Sequence, residues 1–507
     1  MINNSENNKR IAKNTMMLYI RMLLTMGVSL YTSRVVLNTL GIEDFGIYNV
    51  VAGVVVLFSF LNGALTQATQ RFLTYELGKQ NLLKFKQVFS ISLLVYLGLS
   101  LIIIILGESI GLWFLNTQLN IAEERMVAAN WTYQFTLVTF FLNMMCTPYN
   151  AAIVAHEKMS FYAYISIVEV ILKLLIVYLL MWVNFDKLIS YSILTSVVSF
   201  VVLLLYVYFC LNQFSACRFF YYWNKKLFYK LVSFSGWSIF GSLSVVATNQ
   251  GVNMLLNIFF GVVVNAAMGV TNQISNAVNQ FVLNFQVAFN PQITKSYASG
   301  DKPYLESLIF RSAKISYLLL FLISLPILIK TEAILQIWLG SIPQYTVLFC
   351  RFTIISLLID TLSGPLWMII QAKGKIRNYQ LIISSIFWLN LISSFILFSL
   401  GYSPVFALIV RCVVSVVLLF TRLILFVSML NFPSKLFCRK VILNVVCITF
   451  VVIPFPLLIG KYTDGMISLI LTVIVSFLFT ILFSYLLGLN AEEKKKVKIY
   501  ILNRINK

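Results

Sequence analysis

An acid and a base stand four residues apart in the middle of a very apolar segment, "ISIVEVILKLLIVYLL", residues 165–180. Residues at i and i+4 share one face of a helix, so Glu169 and Lys173 can form an ion pair there. Two interpretations are open: a structural pair at a buried helix contact, or a charged position that lines a translocation path. Asp360 is open in the same way, as a coupling site for a cation or proton or as a charge used in helix packing.

Seven cations lie inside long apolar runs, whereas Glu169 and Asp360 are the acids that lie comparably deep; the cations are Arg21, Arg34, Arg71, Lys173, Arg351, Arg411 and Arg422. A central Arg or Lys costs about 2.5–3.5 kcal/mol on insertion scales, so such residues usually face protein or water. Arg71 and Arg422 are interpreted as side chains that snorkel to the membrane surface.

The remaining arginines, Arg21, Arg34, Arg351 and Arg411, are candidates to bind an anion through charge-assisted hydrogen bonds. Arg21 and Arg34 are about 140° apart around an ideal helix. They therefore need not face the same ligand, and one of them is structural unless the helix bends at Gly27.

A stripe of amide side chains predicts a wet cavity. One helical face carries Asn265, Asn272, Asn276, Asn279, Gln286 and Asn290, and the preceding apolar run carries Asn249, Asn253 and Asn257. Lipid cannot satisfy the hydrogen bonds of so many amides. Amide-rich walls suit a ligand with many hydroxyls, so Asn253, Asn272, Asn276 and Asn279 are candidate substrate-binding residues.

The elements that position these residues are predicted to be transmembrane helices. Hydrophobic residues make up 60% of the 507 and charged residues 11%, against about 25% charged residues in soluble domains. The apolar runs are long and continuous, which favours helices over a β-barrel. Fourteen spans are predicted, at 13–40, 45–75, 85–115, 124–152, 158–183, 187–212, 228–260, 263–294, 304–330, 342–371, 376–400, 402–430, 437–460 and 464–488.

The positive charges indicate the orientation of these spans. If both ends are cytoplasmic, the inner segments hold 27 of the 38 Lys and Arg residues and the outer loops hold four, as the positive-inside rule requires. The net charge of +21 then needs no nucleic-acid partner. The C-terminal tract "EEKKKVK" (492–498) is interpreted as a topology signal that also contacts anionic membrane lipids.

A faint internal repeat suggests two lobes. Residues 41–81 and 261–301 match in spacing at an offset of 220, and the pattern Pro-x6-Ala-x2-Lys occurs at 148–158 and again at 365–375. Six spans separate the copies, which predicts parallel repeats. The predicted domains are an N-lobe (1–212, spans 1–6), a C-lobe (213–430, spans 7–12), and spans 13–14 with a basic cytoplasmic tail (431–507).

No catalytic constellation is visible in the sequence. The single histidine, His156, lies beside a predicted loop, and the seven cysteines form no CxxC pair. We therefore predict a protein that is not an enzyme and has no disulfide, no metal site and no cofactor.

The segment "LNTLGIEDFGIYNVVAGVVVLFSFLNGALTQATQRFLTYELG" (37–78) resembles the first-to-second helix region of polysaccharide and O-antigen flippases. These belong to the multidrug/oligosaccharidyl-lipid/polysaccharide (MOP) exporter superfamily. The run that ends in "NPQITKSYASGD" (290–301) is similar to the matching region of the second lobe. The resemblance covers essentially the whole chain. It implies a MATE-like, V-shaped pair of six-helix bundles that works by alternating access.

The same resemblance implies a multi-pass protein of the bacterial inner membrane. Its expected substrate is an oligosaccharide linked to a polyprenyl pyrophosphate, flipped to the outer leaflet for surface polysaccharide such as lipopolysaccharide O-antigen. It also implies association with other polysaccharide-assembly proteins. Two alternatives stay open: a drug exporter on the same fold, and a membrane-embedded glycan polymerase or ligase.

Overall fold

The computed structural model describes residues 4–56, 59–117, 121–182, 185–339, 342–430, 432–462, 465–488 and 494. The described residues form an all-α protein. The first half of the chain contains α1 (Asn4–Val56), α2 (Ser59–Gly78), α3 (Leu82–Leu106), α4 (Leu112–Thr117), α5 (Glu123–Ala155), α6 (Met159–Leu180) and α7 (Lys187–Gln213).

The second half continues the helical pattern, and both halves contain short π-helical turns. It contains α8 (Lys225–Phe260), α9 (Val262–Ser299), α10 (Lys302–Ile329), α11 (Thr331–Leu339), α12 (Thr346–Lys373), α13 (Arg377–Ser399), α14 (Phe406–Leu430), α15 (Ser434–Phe437), α16 (Leu443–Val452), α17 (Pro454–Tyr462) and α18 (Gly465–Phe483). The π-helical turns are Gly107–Gly111, Cys438–Ile442 and Ser484–Gly488.

Eleven segments of the described chain are long and apolar enough to cross a membrane. They coincide with predicted spans 3–7 and 9–14, which confirms the prediction of an all-α polytopic membrane protein. Predicted spans 1, 2 and 8 fall on α1, α2 and α9, which are not among the eleven. The count of fourteen therefore stays a prediction.

The chain divides into two compact units. Unit 1 comprises residues 1–242, 288–301 and 371–375; unit 2 comprises 243–287, 302–370 and 376–507. Unit 1 thus includes two short segments from the second half of the sequence, the ends of α9 and α12. In unit 2, α16, α17 and α18 pack with α10. The three predicted domains, 1–212, 213–430 and 431–507, differ from these units and remain predictions.

The two glycines at the start of the predicted repeat both have a positive φ. Gly41 (φ +84°) interrupts α1, and Gly261 (φ +80°) separates α8 from α9. Side chains strongly disfavour this left-handed region, whereas glycine enters it freely. Each glycine therefore allows the chain to reverse between two consecutive predicted spans.

At one end of unit 1, an arginine binds two aspartates that come from different segments. Arg125, at the start of α5, donates to both carboxylate oxygens of Asp44 (2.9 and 2.6 Å) and to Asp186 (2.6 Å). Asp186 also caps α7 by accepting from the main-chain N–H groups of Leu188 and Ile189. The first turns of α5 and α7 and the segment after Gly41 therefore meet at the same end.

A second charge cluster surrounds Glu157, just after α5. Its carboxylate is fully buried and accepts from Arg10 Nε (2.7 Å), Lys295 Nζ (2.5 Å) and Gln292 Nε2 (2.5 Å). Two cations and an amide compensate the desolvation of this carboxylate. The cluster joins α1, the end of α5 and the last turns of α9 within unit 1.

Arg71 does not snorkel, and the interpretation from sequence was wrong. Its Nε donates to the carbonyl oxygen of Gln371 (2.9 Å) and its Nη2 to that of Ala372 (2.8 Å). The last carbonyls of a helix have no partner within the helix. The Arg71 guanidinium supplies one to the end of α12, so its charge is used inside the protein.

Candidate functional site

Unit 2 contains a polar cavity of about 620 Å³. Its walls come from α8, α9, α12, α13 and α14. The polar and charged side chains that line it include Asn249, Asn253, Asn272, Asn276, Asn279, Gln286, Asp360, Asn390, Arg411 and Arg422. Six of these residues were site candidates in the sequence: Asn253, Asn272, Asn276, Asn279, Asp360 and Arg411.

Helical periodicity explains how the amides converge. Asn272, Asn276 and Asn279 are separated by steps of four and three residues, so they share one face of α9. Asn249 and Asn253, also four apart, share a face of α8. The Oδ1 atom of Asn253 is buried and accepts no hydrogen bond from the described residues. An uncompensated buried acceptor of this kind favours a ligand that donates a hydrogen bond.

Arg411 is already neutralised within this cavity. Its Nη2 donates to Asp360 Oδ2 over 3.2 Å, and its Nη1 donates to Asn249 Oδ1 over 3.2 Å. The guanidinium also lies 5.8 Å from the ring centroid of Phe387. Asp360 therefore acts as the counter-ion of Arg411 in the state described here.

Arg422 faces the same cavity, which corrects its interpretation as a snorkelling side chain. Its Nε is buried and finds no hydrogen-bond acceptor in the described part of the chain. The hydroxyl of Tyr379 is a hydrogen-bonding neighbour of the Arg422 side chain. The Tyr379 ring stacks on Trp367, which also lines the cavity. Arg411 and Arg422 are eleven residues apart, close to three full turns, so both project from one face of α14.

Unit 1 contains a second polar cavity, of about 410 Å³. Arg21 lines it with its guanidinium 4.3 Å from the centre of the Tyr162 ring, and its Nε is buried with no acceptor among the described residues. Glu169 lies on the same wall and forms the expected ion pair with Lys173, at 2.6 Å. Lys173 itself is not part of the lining.

The structure leaves two predicted arginines outside these cavities. Arg351 donates from Nε to Thr331 Oγ1 over 3.2 Å and does not line the cavity of unit 2. Arg34 belongs to α1, but its side chain is not among those that the structure describes, and the same is true of Asn265. Arg34 therefore stays a prediction.

Several lining residues were missed in the sequence. The cavity of unit 1 also receives Asn62, Asn143 and Asn150, and Asn62 accepts a hydrogen bond from Thr147 over 3.1 Å. Asn143 and Asn150 are seven residues apart, two turns of α5, and this spacing was a usable signal. Arg422 was missed because its place near the end of an apolar run suggested snorkelling.

Comparison by sequence matches the chain to no known protein-family profile and to no curated protein. Comparison by fold is informative. A MATE transporter in its bent conformation superposes with a TM-score of 0.69 at 14% identity, over 85% of this chain and 97% of that one. An outward-facing multidrug resistance MATE family transporter of the MOP superfamily gives 0.68 at 14% identity, over 82% and 95%.

A MOP superfamily transporter from Pyrococcus furiosus is also similar, with a TM-score of 0.66 at 14% identity, over 82% of this chain and 95% of that one. For that protein a reversed polarity of the binding pocket was taken to suggest a different function. At an identity this low, the superposition establishes the fold alone. The chain has the all-α fold of the MATE transporters of the MOP superfamily.

Proposed function

We propose that this protein is a flippase of the bacterial inner membrane that works by alternating access. Its substrate is an oligosaccharide linked to a polyprenyl pyrophosphate, which it moves from the cytoplasmic to the outer leaflet for surface polysaccharide synthesis. The observation that carries the proposal is the cavity of unit 2, where many amides surround two arginines and one carboxylate.

The chemistry of the cavity suits a ligand with two different parts. A pyrophosphate is anionic, and Arg binds such oxygens by short, charge-assisted and often bidentate hydrogen bonds. A glycan presents hydroxyls that both donate and accept, as the amides of Asn253, Asn272 and Asn276 do. The polyprenyl tail needs no cavity, since it can remain in the bilayer.

The charge balance of the lining also favours an anionic substrate. Arg411 and Arg422 outnumber Asp360, the one acid among the described residues that line the cavity. In a medium of low dielectric constant an uncompensated cation is costly, and an anionic ligand offsets that cost. The cavity of unit 1, with Arg21 and Glu169, is closer to neutral and suits the hydroxyl-rich part of the substrate.

A drug exporter is the second candidate, because a multidrug resistance transporter shares the fold. Exporters of cationic drugs need acidic side chains or aromatic ring faces that bind the positive charge of the drug. Here an acid is present, but Arg411 already pairs with it. The two candidates differ in the sign of the substrate charge, and this difference can be measured.

The decisive test is transport in proteoliposomes. Defined lipid-linked oligosaccharides are placed in one leaflet, proton or sodium gradients are imposed, and the glycan that reaches the other leaflet is measured with a membrane-impermeant lectin or glycosidase. We expect flipping of the pyrophosphate-linked glycan and no efflux of ethidium-type cations. Cation efflux without glycan flipping would replace the proposal with the exporter.

The chain offers matched controls for the cavity. Asn253 and Asn257 are one turn apart on α8, but only Asn253 is among the lining residues. Asn253→Ala should therefore slow flipping and Asn257→Ala should not. Arg351→Gln serves in the same way as an arginine control in unit 2, because Arg351 binds Thr331 away from the cavity. Equal losses in Asn253→Ala and Asn257→Ala would remove the cavity from the mechanism.

A further inference from the structure

The two arginines of the unit 2 cavity are chemically unequal. The Arg411 guanidinium donates hydrogen bonds to Asp360 and Asn249. The Nε of Arg422, in contrast, has no acceptor, and Arg422 has no carboxylate partner among the described residues. Both face the cavity. An incoming anion meets one cation that is already neutralised and one that is not.

We propose that Arg422 is the primary anion-binding residue of this cavity. Asp360 competes with the anion for Arg411 and so makes Arg411 the weaker, secondary site. The ligand class is a diphosphate or another compact oxyanion. The inference deepens the proposed function and rests on it for the identity of the natural substrate, but anion binding at Arg422 can be tested on its own.

The surroundings of Arg422 favour this role. The hydroxyl of Tyr379 lies beside its guanidinium as a hydrogen-bonding neighbour, and Tyr379 is itself buried and stacked on Trp367. A guanidinium oriented in this way loses little conformational freedom on binding. Tyr379 is therefore a positioning residue, since it contacts Arg422 and is not part of the cavity lining.

The spacing along α14 gives the two arginines different depths. Eleven residues correspond to about 16 Å along the helix axis. In the orientation that the positive charges predict, Arg422 lies nearer the cytoplasm and Arg411 nearer the outside. An anion bound first by Arg422 therefore reaches Arg411 only after moving outward and displacing the Asp360 carboxylate.

Asp360 limits how tightly the anion is bound at the second position. A ligand that must break the contact between Arg411 and Asp360 gains less binding free energy than a ligand that meets an unpaired guanidinium. This balance suits a transporter, which has to release its cargo. Replacing Asp360 with Asn keeps the shape of the side chain, removes the competing charge and should convert Arg411 into a second strong site.

The test is the binding of inorganic pyrophosphate and of farnesyl pyrophosphate to the full-length protein in detergent, by calorimetry. Arg422→Gln should weaken binding at least tenfold, and Arg411→Gln less than threefold. Asp360→Asn should tighten binding severalfold, and Asp360→Asn/Arg411→Gln should abolish that gain. Arg351→Gln is the matched control and should bind as the parent protein does.

Melting temperature and monodispersity report folding in each variant. Arg422→Lys keeps the charge without the planar fork and should fall between the parent and Arg422→Gln. If Arg422→Gln does not fold, the gain in Asp360→Asn and its loss in the double variant still decide the role of Asp360. Tyr379→Phe should weaken binding without changing its salt dependence, as expected for a positioning residue.

Three results would overturn the inference: no pyrophosphate binding by the parent protein, unchanged binding in Arg422→Gln, or unchanged binding in Asp360→Asn. Failure of the proposed function looks different. In that case pyrophosphate binds through Arg422 as described, but lipid-linked oligosaccharides are not flipped in proteoliposomes. The two assays therefore separate the anion site from the identity of the cargo.

Discussion

Arg71 and Gln371 are joined by a hydrogen bond of 2.9 Å from the arginine Nε to a main-chain oxygen, although 300 residues separate them in sequence. With the second bond, to Ala372, this side chain ties the end of α12 to α2 within unit 1. The guanidinium also lies against the rings of Phe72 and Tyr75. A cation that the sequence places in a predicted membrane span thus serves to connect distant segments.

Arg71→Gln should destabilise the protein. Each hydrogen bond to a charged group contributes about 1.5–3 kcal/mol, and Gln cannot reach both carbonyl oxygens. We expect a clear fall in melting temperature in detergent. Arg71→Lys is the matched control, because it keeps the charge without the fork and should recover only part of the loss. Full stability in Arg71→Gln would contradict the connecting role.

Gly374→Ala should destabilise the protein, because the new Cβ atom would collide with a neighbouring side chain. Gly374 has φ +82°, and a Cβ there would lie 2.3 Å from Arg71 Nη2. Gly401 has the same φ, but nothing lies within 4 Å of its Cβ position. Gly401→Ala therefore carries only the backbone strain of about 1–2 kcal/mol. Thermal unfolding of both variants gives the steric contribution as the difference, and equal losses would exclude it.

Glu157→Gln should be among the most damaging single changes in unit 1. The Glu157 carboxylate is fully buried between Arg10 and Lys295, and removing one partner of a buried ion pair costs about 3–5 kcal/mol. The yield of monodisperse protein and its melting temperature measure the effect. Glu157→Gln/Lys295→Met should recover part of it.

Glu169→Gln is the comparison for Glu157→Gln. The Glu169 side chain is 34% exposed in its pair with Lys173 and lines the polar cavity of unit 1, so water in that cavity compensates part of its charge. We expect Glu169→Gln to lose less stability than Glu157→Gln. A larger loss at Glu169 would show that the pair with Lys173 is drier than its geometry indicates.

The only histidine should give the protein a pH-dependent stability. Burial lowers the pKa of His156 to about 4, and its ring stacks on Phe214 at 3.9 Å. Above pH 6.5 the imidazole is neutral in both the folded and unfolded states. As the pH falls toward 4, only the unfolded state takes up the proton, so stability is lost, by at most about 3 kcal/mol.

His156→Asn removes this titration and should flatten the dependence of melting temperature on pH between 6.5 and 4. Lys158→Gln removes one nearby charge that helps to lower the pKa of His156 but keeps the buried imidazole, so it should reduce the slope only slightly. A slope that survives unchanged in His156→Asn would assign the effect to carboxylates instead.

Topology can be tested at the two charge clusters. Arg125 brings Asp44 and Asp186 to one end of unit 1, so residues near 43 and 186 must lie on the same side of the membrane. The fourteen-span prediction also places position 463 on that side, but this residue lies outside the described part of the chain. In a cysteine-free background, Lys187→Cys should react with an impermeant maleimide from outside and Lys158→Cys only after permeabilisation. The opposite pattern would reverse the predicted orientation.

The sequence by itself determined what is local. Apolar runs specify helices because lipid leaves main-chain groups no other partner, and periodicity places Asn272, Asn276 and Asn279 on one face because 3.6 residues make a turn. The pair Glu169–Lys173 was predictable for the same reason. The sequence showed Gly41 and Gly261 as equivalent positions of a repeat, but it did not show that both have a positive φ.

Only the tertiary structure decided which arginine side chains are paired within the protein and which are left to bind a ligand. Arg21, Arg71, Arg351, Arg411 and Arg422 look alike in the sequence, as arginines in apolar runs. Their partners come from other helices, up to 300 residues away: carbonyl oxygens for Arg71, a hydroxyl for Arg351, and a carboxylate with an amide for Arg411. The free energy of a buried cation depends on the groups within a few ångströms of it, and only the folded packing of the helices sets that neighbourhood.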